Sequence, residues 1–176
     1  MIVLLMLLLV VPQLAGNARL QSSVTDEEYA VYSALINSTF LHPKTDLAIL
    51  QAHTEFDQSF DIPQEFKEDL LPKIQQTETI ERRFDLRVKY VLLDTDQIDT
   101  LFKADLGRGW ERYLKQYPNA TGLLAFSRVG FDRAHNKAYV HARQTCGGLC
   151  GAGCSFVLEK VNGSWQVKEK KPLWVA

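Results

Sequence analysis

Residues 137–167 read KAYVHARQTCGGLCGAGCSFVLEKVNGSWQV, and this stretch predicts the fold of the C-terminal part of the chain. Apolar and polar side chains alternate along residues 137–145, which is the period of a β-strand with one buried face. A second strand is expected over residues 155–161. The dipeptide Asn162-Gly163 predicts a two-residue hairpin, because both residues tolerate positive φ. A third strand then returns antiparallel over residues 164–169.

The segments before this stretch extend the same pattern. The run of residues 122–131 predicts one more strand, which is joined to residue 137 by a turn. These four strands form an antiparallel meander. Alternating apolar residues also predict a strand over residues 84–92, and residues 47–50 could form a short one.

Helices are predicted mainly in the N-terminal half. Thr25 and Glu28 fit a capping box, and the apolar residues that follow recur at spacings of three and four, which is typical of one helix face. Further helices are expected over residues 63–71, where Pro72 would stop the helix, over residues 95–103 and over residues 109–117. The sequence therefore predicts an α+β fold, with N-terminal helices packed on one face of a C-terminal antiparallel β-meander.

The N-terminus predicts export from the cytosol. Residues 2–11 are an unbroken apolar run, which is shorter than the roughly 20 residues that a membrane span needs. Its length fits the core of a signal peptide, and small residues precede a predicted cleavage between Ala18 and Arg19. Residues 1–18 are thus predicted to be a signal peptide and residues 19–176 a single domain, periplasmic or extracellular, with no stable membrane span after cleavage. The alternative is an uncleaved segment that tethers the protein to the membrane.

Composition and motifs argue against several classes of protein. The 176 residues include 20 basic and 21 acidic ones, a net charge of −1 that does not indicate a nucleic-acid partner. Phosphate-binding loops, nucleophile elbows and zinc-protease motifs do not occur. The sequence predicts no cofactor and identifies no partner.

Three motifs resemble a known group of sequences. They are Ser127-Arg128-Val129-Gly130-Phe131, the glycine-rich cysteine segment of residues 146–153, and Asn162-Gly163-Ser164-Trp165. Together they resemble uncharacterised bacterial exported proteins that share an S-R-V-G-F, C-G-x-L-C-G-x-G and N-G-x-W pattern, a group that implies no activity. The order of helices and meander also resembles the NTF2-like fold, which implies a cone-shaped α+β structure that carries enzymes as well as binding modules.

The three cysteines, Cys146, Cys150 and Cys154, are spaced C-x3-C-x3-C. In an oxidising compartment a disulfide between Cys146 and Cys150 would brace a tight glycine-rich turn, and Cys146–Cys154 is the alternative pairing. Two other interpretations of the cysteines are a metal site, with His135 or His141 as the fourth ligand, and redox catalysis. The spacing fits neither the usual zinc pairs nor a C-x-x-C redox motif.

A possible pocket is predicted on one face of the sheet. Arg128, Tyr139, His141 and Arg143 are expected to share the face opposite Val140. If helices cover that face, these side chains would line a polar pocket for an anion, with arginine as the fork; otherwise they form a solvated strand face.

Three hypotheses for function remain open. The first is an exported, non-catalytic binding or interaction module with a disulfide-braced hairpin and no catalytic residues. The second is a pocket enzyme on an NTF2-like scaffold, with His141 as general base beside Asp132 or Glu159 and with the arginines nearby. The third is a redox or metal-binding protein that uses the cysteines.

Overall fold

The computed structural model describes residues 23–56, 61–103 and 105–176. The predicted signal peptide, residues 1–18, lies outside the described residues. Within them the chain forms four α-helices and a mixed sheet of seven strands, so the predicted α+β class with a C-terminal meander is confirmed.

Helix α1, Asp26–Leu35, begins as its sequence predicts. The backbone N–H of Glu28 donates to Thr25 Oγ1 (3.2 Å), and the backbone N–H of Thr25 donates to Glu28 Oε2 (2.9 Å). These reciprocal bonds satisfy two of the backbone donors at the helix start. The helix continues into a π-helical turn, Ile36–Phe40, and the chain leaves it before His42.

The other helices are α2, Gln64–Lys73, α3, Thr95–Phe102, and α4, Leu106–Gln116. The predicted end of α2 before Pro72 is wrong, because the helix includes this proline in its last turn. A proline there removes only one backbone donor. Lys73 holds the helix end in place, since its ammonium group contacts the Asp69 carboxylate (2.6 Å) and the Val129 carbonyl (3.0 Å).

The sheet has the strand order β2-β1-β3-β5-β6-β7, and the short β4 pairs with β5. The strands are β1, Leu47–Gln51; β2, Lys89–Leu93; β3, Ala120–Phe126; β4, Gly130–Phe131; β5, Lys137–Gly147; β6, Cys150–Val161; and β7, Ser164–Val175. Strands β3, β5, β6 and β7 form the predicted antiparallel meander, and Asn162 and Gly163 adopt positive φ at the β6–β7 hairpin. Strands β1 and β2 extend the meander in parallel with β3.

Two predicted strands differ in extent from the observed ones. Residues 84–88 lie outside the ladder, and only Lys89–Leu93 pairs as a strand. The alternation there reflects contact with the main core rather than strand pairing. The run 122–131 is divided into β3 and β4, because the chain between them turns away to bond with α1 and β5.

The helices cover both faces of the sheet, and the expectation that they cover one face is wrong. The inner face, which carries Val140 and Phe156, packs on α1 and forms the main core. The outer face, which carries Tyr139, His141 and Arg143, packs on α2 at one place and on α3 and α4 at another. Parallel strands need crossover connections, and α2 to α4 lie in the crossovers between β1, β2 and β3.

Candidate functional site

A cavity of about 320 Å³ opens on the outer face of the meander. Its floor is one row of neighbouring residues across four strands, Ala125, Arg143, Gly153 and Trp174. Ala125 and Gly153 are small residues on either side of Arg143, and the indole of Trp174 fills the space above Gly153. The helices that cover the rest of this face do not line the cavity.

Trp174 forms one side of the cavity because β6 has glycine beneath it. A methyl group added at Gly153 would lie 2.6 Å from Cε2 of the indole and closer still to Nε1. At Gly151 such a group would lie 3.3 Å from Cζ3 of the same ring. The two glycines therefore let the indole lie flat across strand β6, which is a reason for glycine inside a strand.

Glu55 and Arg143 form an ion pair in the cavity. Arg143 Nη2 donates to Glu55 Oε2 (2.9 Å), Nε donates to Oε1, and Nη2 also contacts Oε1 of Gln51 (3.2 Å). The side chain of Arg143 is 31% exposed and that of Glu55 is 36% exposed, so the pair is open to the cavity and to solvent. The backbone N–H of Glu55 donates to the carbonyl of Phe126 (2.9 Å), which fixes this segment to the end of β3.

His141 occupies the next row of the outer face and is buried at 8% exposure. Its ring stacks on Phe56, with centroids 4.9 Å apart, and its Nε2 lies 2.7 Å from the hydroxyl of Tyr139. That hydroxyl also lies 3.0 Å from the carbonyl oxygen of Asp61, which can only accept. Because a phenol has one proton, donation to Asp61 leaves Nε2 of His141 as the protonated donor to Tyr139.

Burial keeps Tyr139 in its neutral form. Removal of the phenol from water raises its pKa, a hydrogen bond with Ser155 lowers it, and the net change is upward. Ser155 pairs with His141 across the β5–β6 ladder, so it lies on the same face. The side chains of Tyr139, His141 and Ser155 thus form hydrogen bonds with one another beside the cavity.

The four predicted pocket residues are divided between two places. Tyr139, His141 and Arg143 share the outer face, and the last two line the cavity. Arg128 does not line this cavity: its guanidinium forms a buried, bidentate ion pair with Glu28 of α1, at 2.8 and 2.9 Å. The chain leaves the β3 ladder after Phe126, and the Arg128 side chain turns to α1, so the expectation that it shares the outer face with the other three residues is wrong.

The cysteine segment forms the tip of the β5–β6 hairpin. Cys146 and Cys150 form the predicted disulfide, with Cα atoms 5.1 Å apart, and the alternative pairing through Cys154 does not occur. Cys154 is a buried free thiol among the residues that line the cavity. Leu149, at the tip, is 91% exposed.

The residues proposed for other chemistry lie apart from one another. His135 stacks on Phe131, and its Nδ1 lies 2.9 Å from the Glu27 carboxylate. Across the described ranges, no three His, Cys, Asp or Glu side chains are grouped so that they could hold a metal ion.

Sequence reasoning missed Glu55, Phe56 and Trp174. The first two follow a strand that the sequence indicated only weakly, and their contacts with β5 span more than 80 residues. A signal for Trp174 was present, since glycine at alternate positions of a strand, Gly151 and Gly153, indicates that something approaches the backbone closely.

We find no match when the chain is compared with models of protein families, with curated proteins or with solved structures. The resemblance to bacterial exported proteins and to the NTF2-like fold therefore stays a prediction. Among the helices of the described residues, none combines the length and the apolar character that a membrane span requires.

Proposed function

We propose that this protein is an exported, non-catalytic binding module whose small ligand occupies the cavity on the outer face. The observation that carries the proposal is the floor of the cavity, where Ala125 and Gly153 flank Arg143 and Trp174 lies across Gly153. Small-molecule sites are usually preformed concavities with mostly apolar walls and a few placed polar groups. A cavity of about 320 Å³ with Phe56 and Trp174 in its walls fits that description.

The arrangement of polar groups favours binding over catalysis. A general base needs a lone pair that reaches the substrate proton. His141 is buried, with Phe56 against its ring face and the Tyr139 hydroxyl at Nε2, and Arg143 pairs with Glu55, so both side chains already bond within the protein. The predicted partners Asp132 and Glu159 are not among the residues that line the cavity. The pocket-enzyme alternative thus has less support than a binding role.

A fragment screen tests the binding role. We expect a library of small aromatic and heteroaromatic compounds, followed by protein NMR, to yield ligands whose shifts map to β5, β6 and the end of β7. Ala125→Leu fills the cavity and should weaken those ligands at least 10-fold. Leu114→Ala, at an exposed position of α4, is the matched control and should leave them unchanged.

Trp174→Ala supplies a second variant in case Ala125→Leu does not fold. It removes one wall without adding volume and should weaken the same ligands. Hits that bind wild type, Ala125→Leu and Trp174→Ala equally, or a screen with no hit in the cavity, would overturn the proposed function.

Export is tested separately on the full chain. Expression in a bacterial host, fractionation and mass spectrometry of the mature protein should show an N-terminus at Arg19 and a single titratable thiol under denaturing conditions. A cytosolic protein with an intact N-terminus and three reduced thiols would contradict it.

A further inference from the structure

The disulfide lies at the exposed end of the β5–β6 hairpin. Cys150 is exposed, whereas Cys146 is partly buried. Beyond the pair formed by Thr145 and Gly151, one more residue pair joins the two strands, and the register is irregular between these two pairs. Cys150 is therefore accessible to a reagent in solution while the rest of the protein stays folded.

The hairpin tip depends on the disulfide for its order. Four of the seven residues 147–153 are glycine. Glycine loses more conformational freedom on folding than any other residue, so it is costly to order this segment. A disulfide offsets part of such a cost because it restricts the unfolded chain. Reduction should therefore lower the local stability of the tip more than that of the rest of the sheet.

The same segment supports one wall of the cavity. The indole of Trp174 lies across Gly151 and Gly153, where added methyl groups would be 3.3 Å from Cζ3 and 2.6 Å from Cε2. The backbone N–H of Ala176 donates to the carbonyl of Gly151 (2.9 Å), which holds the end of β7. Gly151 directly follows Cys150 in the chain, so the support for the wall begins beside the disulfide.

The end of β7 has little other support from the sheet. In the sheet that the described residues form, β7 is the last strand and pairs with β6. The last two pairs, Gly153 with Trp174 and Ala152 with Val175, are separated from the rest of the ladder by a register shift at Cys154. If the tip of β6 loosens, this end of β7 has no second strand to hold it.

We propose that the disulfide between Cys146 and Cys150 is a reversible redox switch that sets the position of Trp174 at the cavity. The proposal rests on the proposed function, because it concerns the regulation of the same cavity. The oxidised form holds the indole against β6 and keeps this wall in place. The reduced form releases the hairpin tip, the end of β7 and the indole with it.

A dithiol is the reductant for this switch. One of its thiolates attacks the sulfur of Cys150, a mixed disulfide forms, and Cys146 leaves as a thiolate that takes up a proton. The second thiol of the reductant then closes the disulfide of the reductant and releases Cys150 as a thiol. Two electrons and two protons pass to the protein, and an oxidised dithiol reverses the exchange. Cys154 is buried and takes no part.

The first test asks whether reduction occurs in the folded protein. Wild type is treated with dithiothreitol, then given a short pulse of iodoacetamide, and mass spectrometry counts the alkylated thiols. We expect two labels on each reduced molecule, at Cys146 and Cys150, because Cys154 stays buried. Three labels on every reduced molecule would show that reduction requires the fold to open, and this result would overturn the switch.

The second test follows the indole by NMR in the oxidised and the reduced protein. We expect the proton contacts between the Trp174 ring and Gly153 to weaken and the Ala176 amide to exchange about 10-fold faster after reduction, since both depend on the tip. Trp165, at the other end of β7 and 9% exposed, is the internal control and should keep its contacts.

Cysteine variants provide the matched comparison. The double variant Cys146→Ser with Cys150→Ser should give the spectrum of the reduced protein in non-reducing buffer and should not respond to dithiothreitol. Cys154→Ser keeps the disulfide and should respond as wild type does. Reduced wild type supplies the same comparison if the double variant does not fold.

The outcomes separate this proposal from the proposed function. Unchanged contacts of Trp174 after reduction, or equal changes at Trp174 and Trp165, would overturn the switch. The binding role would stand in those cases, because the fragment screen with Ala125→Leu tests it independently. The redox tests use no ligand, so failure of the screen would leave their results unaffected.

Discussion

The carboxylate of Glu28 and the guanidinium of Arg128 meet in the interior of the protein, with side chains 0% and 5% exposed. Arg128 donates to both carboxylate oxygens, and the backbone N–H groups of Thr25 and Val129 donate to them as well (2.9 and 3.1 Å). Arg128 also contacts the hydroxyl of Ser23 (2.9 Å). The pair joins the start of α1 to the connection between β3 and β4, so the arginine of the S-R-V-G-F motif has a structural role.

Removal of one partner from this pair should strongly destabilise the protein. We expect Glu28→Ala to lower the free energy of unfolding by about 3–5 kcal/mol, because it leaves the Arg128 charge buried without compensation. Urea denaturation at neutral pH measures the loss. Glu27→Ala is the control: Glu27 is 31% exposed and pairs with Lys160 at the surface, so its loss should stay below about 1 kcal/mol. Equal losses in the two variants would show that the buried pair contributes no more to the free energy of unfolding than the surface pair does.

The same pair should make stability depend on pH. Burial raises the pKa of Glu28. Hydrogen bonds from Arg128 and from the backbone N–H groups of Thr25 and Val129 lower it, and together they outweigh burial, so the net pKa lies below its ordinary value of 4.5. A carboxyl group with a lowered folded-state pKa stabilises the protein fully above its unfolded pKa. That contribution is lost as the pH falls through the folded pKa.

We therefore expect the stability difference between wild type and Glu28→Gln to be constant from pH 7 to about pH 5 and to shrink as the pH falls below 4.5. Urea denaturation of both proteins at several pH values between 7 and 3 measures it. A difference that stays constant over the whole range, or grows on acidification, would contradict this assignment.

Local features were predictable from the sequence because local chemistry determines them. The capping box at Thr25 needs only residues three positions apart, and the Asn162-Gly163 hairpin needs only two residues that accept positive φ. The pairing of Cys146 with Cys150 also depends on a five-residue segment. Each of these predictions is confirmed.

The candidate site was predictable only in part, because it depends on pairing between distant strands. Alternation along β5 correctly placed Tyr139, His141 and Arg143 on one face. It could not show that Glu55, 88 positions before Arg143, packs on that face and pairs with Arg143. Nor could it show that the chain turns out of the ladder before Arg128, which is a matter of tertiary hydrogen bonding rather than of strand period.

The disulfide should stabilise the hairpin tip by constraining the unfolded chain. Closure of a loop of about five residues contributes about 2 kcal/mol on the chain-entropy model. We expect Cys146→Ser to lower the free energy of unfolding by that amount in non-reducing buffer and by almost nothing when a reductant is present. Cys154→Ser, which removes a buried free thiol, should give the same loss in both buffers. A loss for Cys146→Ser that is independent of reductant would contradict a role for the disulfide.

Gly153 should be needed for the position of Trp174. A methyl group at residue 153 would lie 2.6 Å from Cε2 of the indole, so Gly153→Ala has to move the ring or the strand. We expect a loss of about 1–3 kcal/mol, as for other substitutions that overfill a packed site. The indole N–H resonance of Trp174, identified by its absence in Trp174→Phe, should shift at the same time.

Gly148→Ala is the matched control for this prediction. Gly148 lies at the hairpin tip with no atom within 4 Å of an added methyl group, so its substitution should change stability by less than about 0.5 kcal/mol and leave the Trp174 resonance in place. If Gly153→Ala behaved like Gly148→Ala, the indole would not depend on glycine beneath it. The cavity wall would then be mobile rather than preformed.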